Sequence, residues 1–180
     1  MATKKTVKKK TAKKKTAAKS EPLLKGMPGP GDKAPAFKLP IDGGKTLALK
    51  DLKGKRVVLY FYPKDMTPGC TIEAQDFRDA KRKLTTNNTV VVGVSKDSVE
   101  RHDRFKEKEK LNFPLIADED VDLCKAYGVW QQKSLYGKKF LGIVRATFLI
   151  DEKGIVRHVW PKVKVKGHAD AVLDAIKALG

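Results

Sequence analysis

After residue 56 the chain alternates between two hydrophobic periods, and this alternation leaves few folds open to it. Continuous apolar runs rich in β-branched and aromatic residues, VVLYFY (57–62) and TVVVGVS (89–95), read as buried strands. Segments with helical spacing follow each: one from about Thr71 to Leu84, then SVERHDRFKEKEKL (98–111). FPLIAD gives a short strand and VDLCKAYG a helix. RATFLID and IVRHVW form a hairpin turning at EKG, and HADAVLDAIKAL is the closing helix. Such an order predicts an α/β fold with a central mixed β-sheet flanked by helices on both faces. At 180 residues the chain suffices for one well-packed domain, and no second core is expected.

The formal charge of +18 is unevenly placed, because residues 1–25 hold ten lysines against one glutamate. KKKTA occurs at 8–12 and again at 13–17, with no aromatic residue and no apolar face. Residues 1–25 are therefore expected to be a disordered lysine-rich tail. LKGMPGPG (24–31) supplies a Gly/Pro linker over 26–31, and the folded domain is expected over 32–180. Lys8, Lys9, Lys10, Lys13, Lys14 and Lys15 would neutralise nucleic-acid phosphates weakly and without sequence preference. A solubilising tail or a nuclear address are the plain alternatives.

Only two cysteines occur, Cys70 and Cys124. No apolar run is long enough to span a membrane, and the lysine-rich start lacks the hydrophobic core of a signal peptide. A transit peptide would use arginine, whereas the first arginine is Arg56. A reducing compartment is expected, the cytoplasm, with a nuclear or nucleoid location as the alternative that the tail suggests. In such a compartment an isolated cysteine is catalytic or inert rather than a structural staple.

Cys70 stands in a Thr-Pro-Gly-Cys turn between strand and helix. A thiol in the first turn of a helix meets unpaired backbone N–H groups and the positive end of the helix dipole, both of which favour thiolate. Thr67 can present a hydroxyl to whatever approaches the sulfur, and Pro63 closes one side of the turn without adding a donor. Glu73, one turn along, can hold a cation that must come from elsewhere in the fold. A buried, inert cysteine is the plain alternative. A Cys-x-x-Cys dithiol is excluded, since the fourth position is Glu73. His102, His158 and His168 show no ligand spacing, so no metal is expected. GGKT (43–46) lacks the earlier glycine of a phosphate loop, Leu39 standing there, and reads as a hairpin turn. Trp130 and Trp160 line the approach to Cys70 or fill the core.

FYPKDMTPGCTIEAQDFRD, with GDKAPAFKLP upstream and GIVRATFLID downstream, resembles the peroxiredoxin family, most closely its Q-type branch of bacterioferritin comigratory proteins. The likeness spans Gly31 to Leu179, with Pro63, Thr67 and Cys70 in the family's P-x-x-x-T-x-x-C register. It implies a thioredoxin-like fold and a cofactor-free thiol peroxidase acting on hydrogen peroxide and organic hydroperoxides. It makes Cys70 the peroxidatic cysteine, Thr67 a hydrogen-bond partner of peroxide and thiolate, and Pro63 a shield against water. Arg145 becomes the missing cation, favouring the thiolate and the charge spreading over the O–O bond, with Glu73 orienting it.

Many Q-type members carry a second cysteine five residues after the first, and here that position is Gln75. Cys124, among Val121, Leu123 and Tyr127, reads as a buried small residue on a core-facing helix; the other reading makes it an unusual resolving cysteine that requires local unfolding. A one-cysteine enzyme is the expectation, recycled by an external thiol such as thioredoxin, glutaredoxin or glutathione, and working as a monomer or weak dimer. The rival from another class is a thioredoxin-fold protein that acts mainly as a non-specific nucleic-acid binder through its tail.

Overall fold

The computed structural model describes residues 21–180, so the lysines at 8–10 and 13–15 lie outside the described residues. In chain order, a small antiparallel pair, β1 (Lys38–Pro40) and β2 (Thr46–Ala48), precedes β3 (Arg56–Phe61). Next come α1 (Pro68–Asp79), α2 (Lys81–Thr86), β4 (Thr89–Ser95), α3 (Val99–Glu109), β5 (Leu115–Ala117) and α4 (Asp122–Ala126). A second hairpin, β6 (Trp130–Leu135) and β7 (Lys138–Ile143), leads to β8 (Ala146–Ile150), β9 (Val156–Trp160) and α5 (His168–Ala178).

The central sheet has the order β5, β4, β3, β8, β9. β3, β4 and β5 run parallel, while β8 is antiparallel to both β3 and β9. This is the mixed sheet that the strand pattern predicts. β3 is apolar throughout because both of its faces are covered. Val57, Leu59 and Phe61 enter one core cluster with Val92, Val94, Phe148, Cys124 and Tyr127. Val58, Tyr60 and Tyr62 enter the other with Cys70, Phe77, Leu84, Phe105, Val172 and Ile176. The long helices α1, α3 and α5 thus share one face with α2. The opposite face is covered by the short α4 and by the N-terminal segment through Met27 and Phe37.

Three features differ from the sequence reading. The single helix expected over 71–84 is two: α1 starts earlier, at Pro68, where a missing N–H leaves nothing unsatisfied, and it stops before Ala80. Ala80 has ψ −6°, and the nearby Arg78 carbonyl accepts from Asn112 Nδ2 at 3.2 Å, which draws it toward a partner outside the helix. The hairpin β6–β7 was not anticipated, because its strands are polar. It closes through Tyr136 (φ 49°) and Gly137 (φ 76°), the pair of positive φ values that a two-residue hairpin turn demands. GGKT does lie at a hairpin turn, between β1 and β2.

The third difference concerns the linker expected at 26–31 and residues 21–25 of the expected disordered tail, whose residues 1–20 lie outside the described residues. Met27 is buried in the core, Leu24 packs on it, and Gly31 N–H donates to Val156 O at 2.8 Å. Lys25 O accepts from Gln131 Nε2 at 3.1 Å. The glycines here permit close approach rather than slack: a Cβ on Gly128 (φ +67°) would lie 2.5 Å from the Gly26–Met27 backbone. Gly128→Ala is therefore expected to destabilise the fold by about 1–3 kcal/mol. Urea unfolding checks this, and an unchanged midpoint would show that the 24–31 segment contributes nothing to stability.

Candidate active site

β3 delivers the chain to a loop over residues 63–67, and Thr67 caps α1 in an extended conformation (φ −88°, ψ 153°). Cys70 is the third residue of α1, where backbone N–H groups have no partner within the helix. Its side chain faces the core cluster under α1 and is 2% exposed. The cation comes from the neighbouring strand. Pairing of Phe61 with Ala146 places Arg145, just before β8, against the helix start. Arg145 Nη2 donates to Cys70 Sγ at 3.3 Å, and Nη1 donates to the Glu73 carboxylate. Gly69 makes room, since a Cβ there would lie 3.3 Å from Arg145 Nη2.

Three of the residues expected at the site are thus brought together, Cys70 and Glu73 each bonded to Arg145. Pro63 lies half-buried just past the end of β3. The Thr67 hydroxyl donates to Lys64 O at 3.0 Å, not to the sulfur, so its lone pairs remain for an incoming donor. Cys124 is not brought to the site: it sits fully buried in the cluster on the opposite face of the sheet. Burial and the adjacent Asp118 carboxylate push its thiol far up, which makes it a poor nucleophile. Gln75 donates to Glu109 Oε2 at 2.8 Å and ties α1 to α3.

The electrostatics of the trio are set by burial. Glu73 is 1% exposed, with one carboxylate oxygen on Arg145 and the other without a partner. Burial pushes its carboxyl from 4.5 up to about 7; the pull of Arg145 only partly offsets this, and Asp76 adds to the rise. Arg145 loses hydration too, yet Glu73 and Cys70 raise it above its ordinary value and it stays cationic.

Two further residues escaped the sequence reading. Lys133 on β6 donates to Ile143 O at 2.9 Å; burial and Arg145 lower it while the Cys70 charge raises it, placing a second cation within electrostatic reach of the sulfur. His168, the first residue of α5, pairs with Thr147 Oγ1 at 2.8 Å, and burial with Arg145 pushes it down to about 4, so it is neutral. Neither residue carries a local signal, since both reach the site through strand pairing and helix packing. Among the described residues no group of three or more His, Cys, Asp or Glu side chains is arranged for a metal ion, and no helix is long and apolar enough to cross a membrane.

A thiol at a helix start, bonded by an arginine from just before β8 over a mixed sheet, sits in a fold of the thioredoxin-like class. Residues 30–159 match the AhpC/TSA family, and the chain belongs to that family. Within it, the chain falls with the Bcp, or Q-type, peroxiredoxins. It is 56% identical over 146 residues to a putative peroxiredoxin Bcp of Coxiella burnetii, covering 81% of this chain and 97% of that one. The peroxiredoxin Bcp of Bacillus subtilis is 50% identical over 147 residues, with 82% and 94% covered. The solved Xanthomonas campestris bacterioferritin comigratory protein superposes with a TM-score of 0.76 at 46% identity, covering 79% of this chain and 91% of that one. Alkyl peroxide reduction and trapped intermediate complexes are described for that relative.

Glu73 and His168 act oppositely on stability. The fold holds the Glu73 proton more tightly than the unfolded chain does, so this group makes stability fall as pH rises from 4.5 to about 7, with no further change above. The fold disfavours protonated His168, so its contribution is present above 6.5 and is lost as pH falls toward 4. Because the two windows overlap, the difference between the native chain and Glu73→Gln isolates the first. Thermal melts are expected to show the native chain losing stability relative to Glu73→Gln as pH rises through that window. A relative gain would show that attraction to Arg145 outweighs the loss of hydration.

Proposed function

We propose that Cys70 is the attacking thiol of a peroxidase that reduces hydrogen peroxide and organic hydroperoxides. The chain is a thiol-dependent peroxidase of the peroxiredoxin class. The observation that carries the assignment to Cys70 is the Arg145 hydrogen bond to its sulfur at 3.3 Å at the start of α1. The Cys70 thiolate attacks one peroxide oxygen, the S–O bond forms as the O–O bond breaks, and water or an alcohol leaves after taking up a proton. Negative charge moves from sulfur onto the leaving oxygen. Arg145 and the free N–H groups at the start of α1 stabilise that charge, Glu73 fixes the guanidinium, and Thr67 accepts from the peroxide O–H through its free lone pairs. Pro63 walls the sulfur from water.

The product is a sulfenic acid on Cys70. Cys124 lies across the sheet and Gln75 has no thiol, so reduction falls to an external thiol, whose sulfur displaces water to give a mixed disulfide. Thioredoxin, glutaredoxin or glutathione supplies that chemistry, and a bacterial cytoplasm supplies those reductants. The chain is read as a monomer or weak dimer. The lysine-rich stretch at 1–25 adds non-specific contact with polyanions, by charge alone.

Cys70→Ser is expected to abolish peroxide consumption. Arg145→Ala should slow the reaction of Cys70 with peroxide by about 100- to 1000-fold, as loss of one preorganised charge donor does elsewhere. Cys124→Ser should turn over at the native rate with the same reductant. Stopped-flow peroxide consumption measures all three, and a Cys124→Ser enzyme arrested after one turnover would make Cys124 the resolving cysteine.

A further inference from the structure

The loop that carries Thr67 to the head of α1 is held from below by a buried polar cluster that the chemistry above does not use. Asp65 lies in the middle of that loop and is 0% exposed. All four of its polar groups are engaged. Its N–H donates to Asp97 Oδ2 at 2.8 Å, and its carbonyl accepts from Arg101 Nη2 at 3.2 Å. One carboxylate oxygen accepts from Tyr62 OH at 2.6 Å; the other lies 2.7 Å from His102 Nδ1. His102, on α3, is also 0% exposed, and its Nε2 lies 3.0 Å from Ile116 O on β5. Asp97 is itself held, accepting from Ser95 Oγ at 2.6 Å and pairing with Arg101 at 3.0 Å.

The Ile116 carbonyl only accepts, so Nε2 carries the hydrogen on that side, and Nδ1 faces the Asp65 carboxylate at hydrogen-bond distance. A buried group that satisfies every donor and acceptor holds one geometry, because any displacement strands a polar atom away from water. The next residue shows what that geometry imposes: Met66, between Asp65 and the cap Thr67, is held at φ 61°, a left-handed backbone unusual for a side chain of its size. The chain reaches Thr67, and hence the free N–H groups and sulfur of α1, only through this constrained link.

We infer that Asp65 and His102 are positioning residues for peroxide reduction: as a buried hydrogen-bonded anchor they fix the 63–67 loop, and so the place of Thr67 relative to the Cys70 sulfur. This rests on the reading of Cys70 as the attacking thiol. Neither residue touches peroxide. Their effect is confined to the geometry of the peroxide pocket, whereas alkylation of the sulfur by iodoacetamide makes no use of Thr67.

The test compares two rates on the full-length protein, oxidation of Cys70 by hydrogen peroxide and its alkylation by iodoacetamide, in Asp65→Ala, His102→Gln, Tyr62→Phe and Asp65→Asn. Asp65→Asn can keep the whole line, donating from its amide to Nδ1 and accepting from Tyr62, and so serves as the conservative rescue. Asp65→Ala and His102→Gln are expected to lose at least about tenfold in the peroxide rate with alkylation within about threefold of native, and Asp65→Asn to stay within about threefold in both. Tyr62→Phe, which removes one bond of the line and fills the same space, is expected to fold and to show the same split at smaller size, which keeps the test decisive if Asp65→Ala does not fold. A native peroxide rate in folded Asp65→Ala or His102→Gln, equal loss of both rates, or a fall in Asp65→Asn as large as in Asp65→Ala would overturn the anchor. Cys70→Ser, run alongside, separates the two readings: residual peroxide chemistry there removes the role of Cys70 itself, whereas an inactive Cys70→Ser beside a native-rate Asp65→Ala removes the anchor alone.

Discussion

One guanidinium, brought from a distant part of the chain, serves two buried groups on the first turns of α1. Arg145 reaches across 75 residues of sequence to the sulfur of Cys70 and across 72 to the carboxylate of Glu73. Without it, Glu73 would be an isolated charge under α1 and the sulfur would have no charged donor. The arrangement constrains much of the architecture. β8 must run antiparallel beside β3 with Phe61 opposite Ala146, or the arginine misses the helix start. A side chain at residue 69 would press on the guanidinium, since its Cβ would lie 3.3 Å from Nη2. Even so, burial outweighs attraction at Glu73, whose carboxyl rises to about 7. The trio is held together at some expense to stability, as charge preorganised for a reaction commonly is.

The same architecture decides what becomes of the oxidised sulfur. The two cysteines belong to core clusters on opposite faces of the sheet, with β3 contributing alternate residues to each. A bond between them would need the sheet to open or α1 to leave it. The position one helical turn beyond the site holds Gln75, which fastens α1 to α3 rather than supplying a thiol. Arg78 adds a second tie by donating to the Glu109 carbonyl at 2.7 Å. In this account α1 stays helical throughout turnover, and an incoming thiol must reach a sulfur that is only 2% exposed.

What could be read in advance was local. The helix-start setting of Cys70 is written in Thr67, Pro68 and Gly69, because Pro at the first helical position and a cap before it are short-range signals. The strand runs were legible because both faces of β3 and β4 are covered, so that almost every residue is apolar. Arg145 was different, since nothing around it distinguishes it from the other arginines, and only the family resemblance picked it out before strand register placed it. Asp65 and His102 were invisible for the same reason: a loop aspartate and a histidine on a charged helix become a buried pair only when α3 docks on that face. The β6–β7 hairpin was hidden by its polar strands, and Tyr136 takes a positive φ that its residue type does not announce. Met27 was misread because glycine and proline around it suggested slack where they permit tight packing.

The central claim, a single reactive sulfur at Cys70 with no internal partner, is tested most directly by non-reducing intact mass after one equivalent of hydrogen peroxide, with and without a trap for sulfenic acids. The account predicts a gain of one oxygen without the trap and a single adduct mapping to Cys70 with it. Loss of two hydrogens with no adduct would mean a Cys70–Cys124 disulfide and contradict the separation of the two sulfurs by the sheet. An unchanged mass would contradict the reactivity of Cys70 altogether.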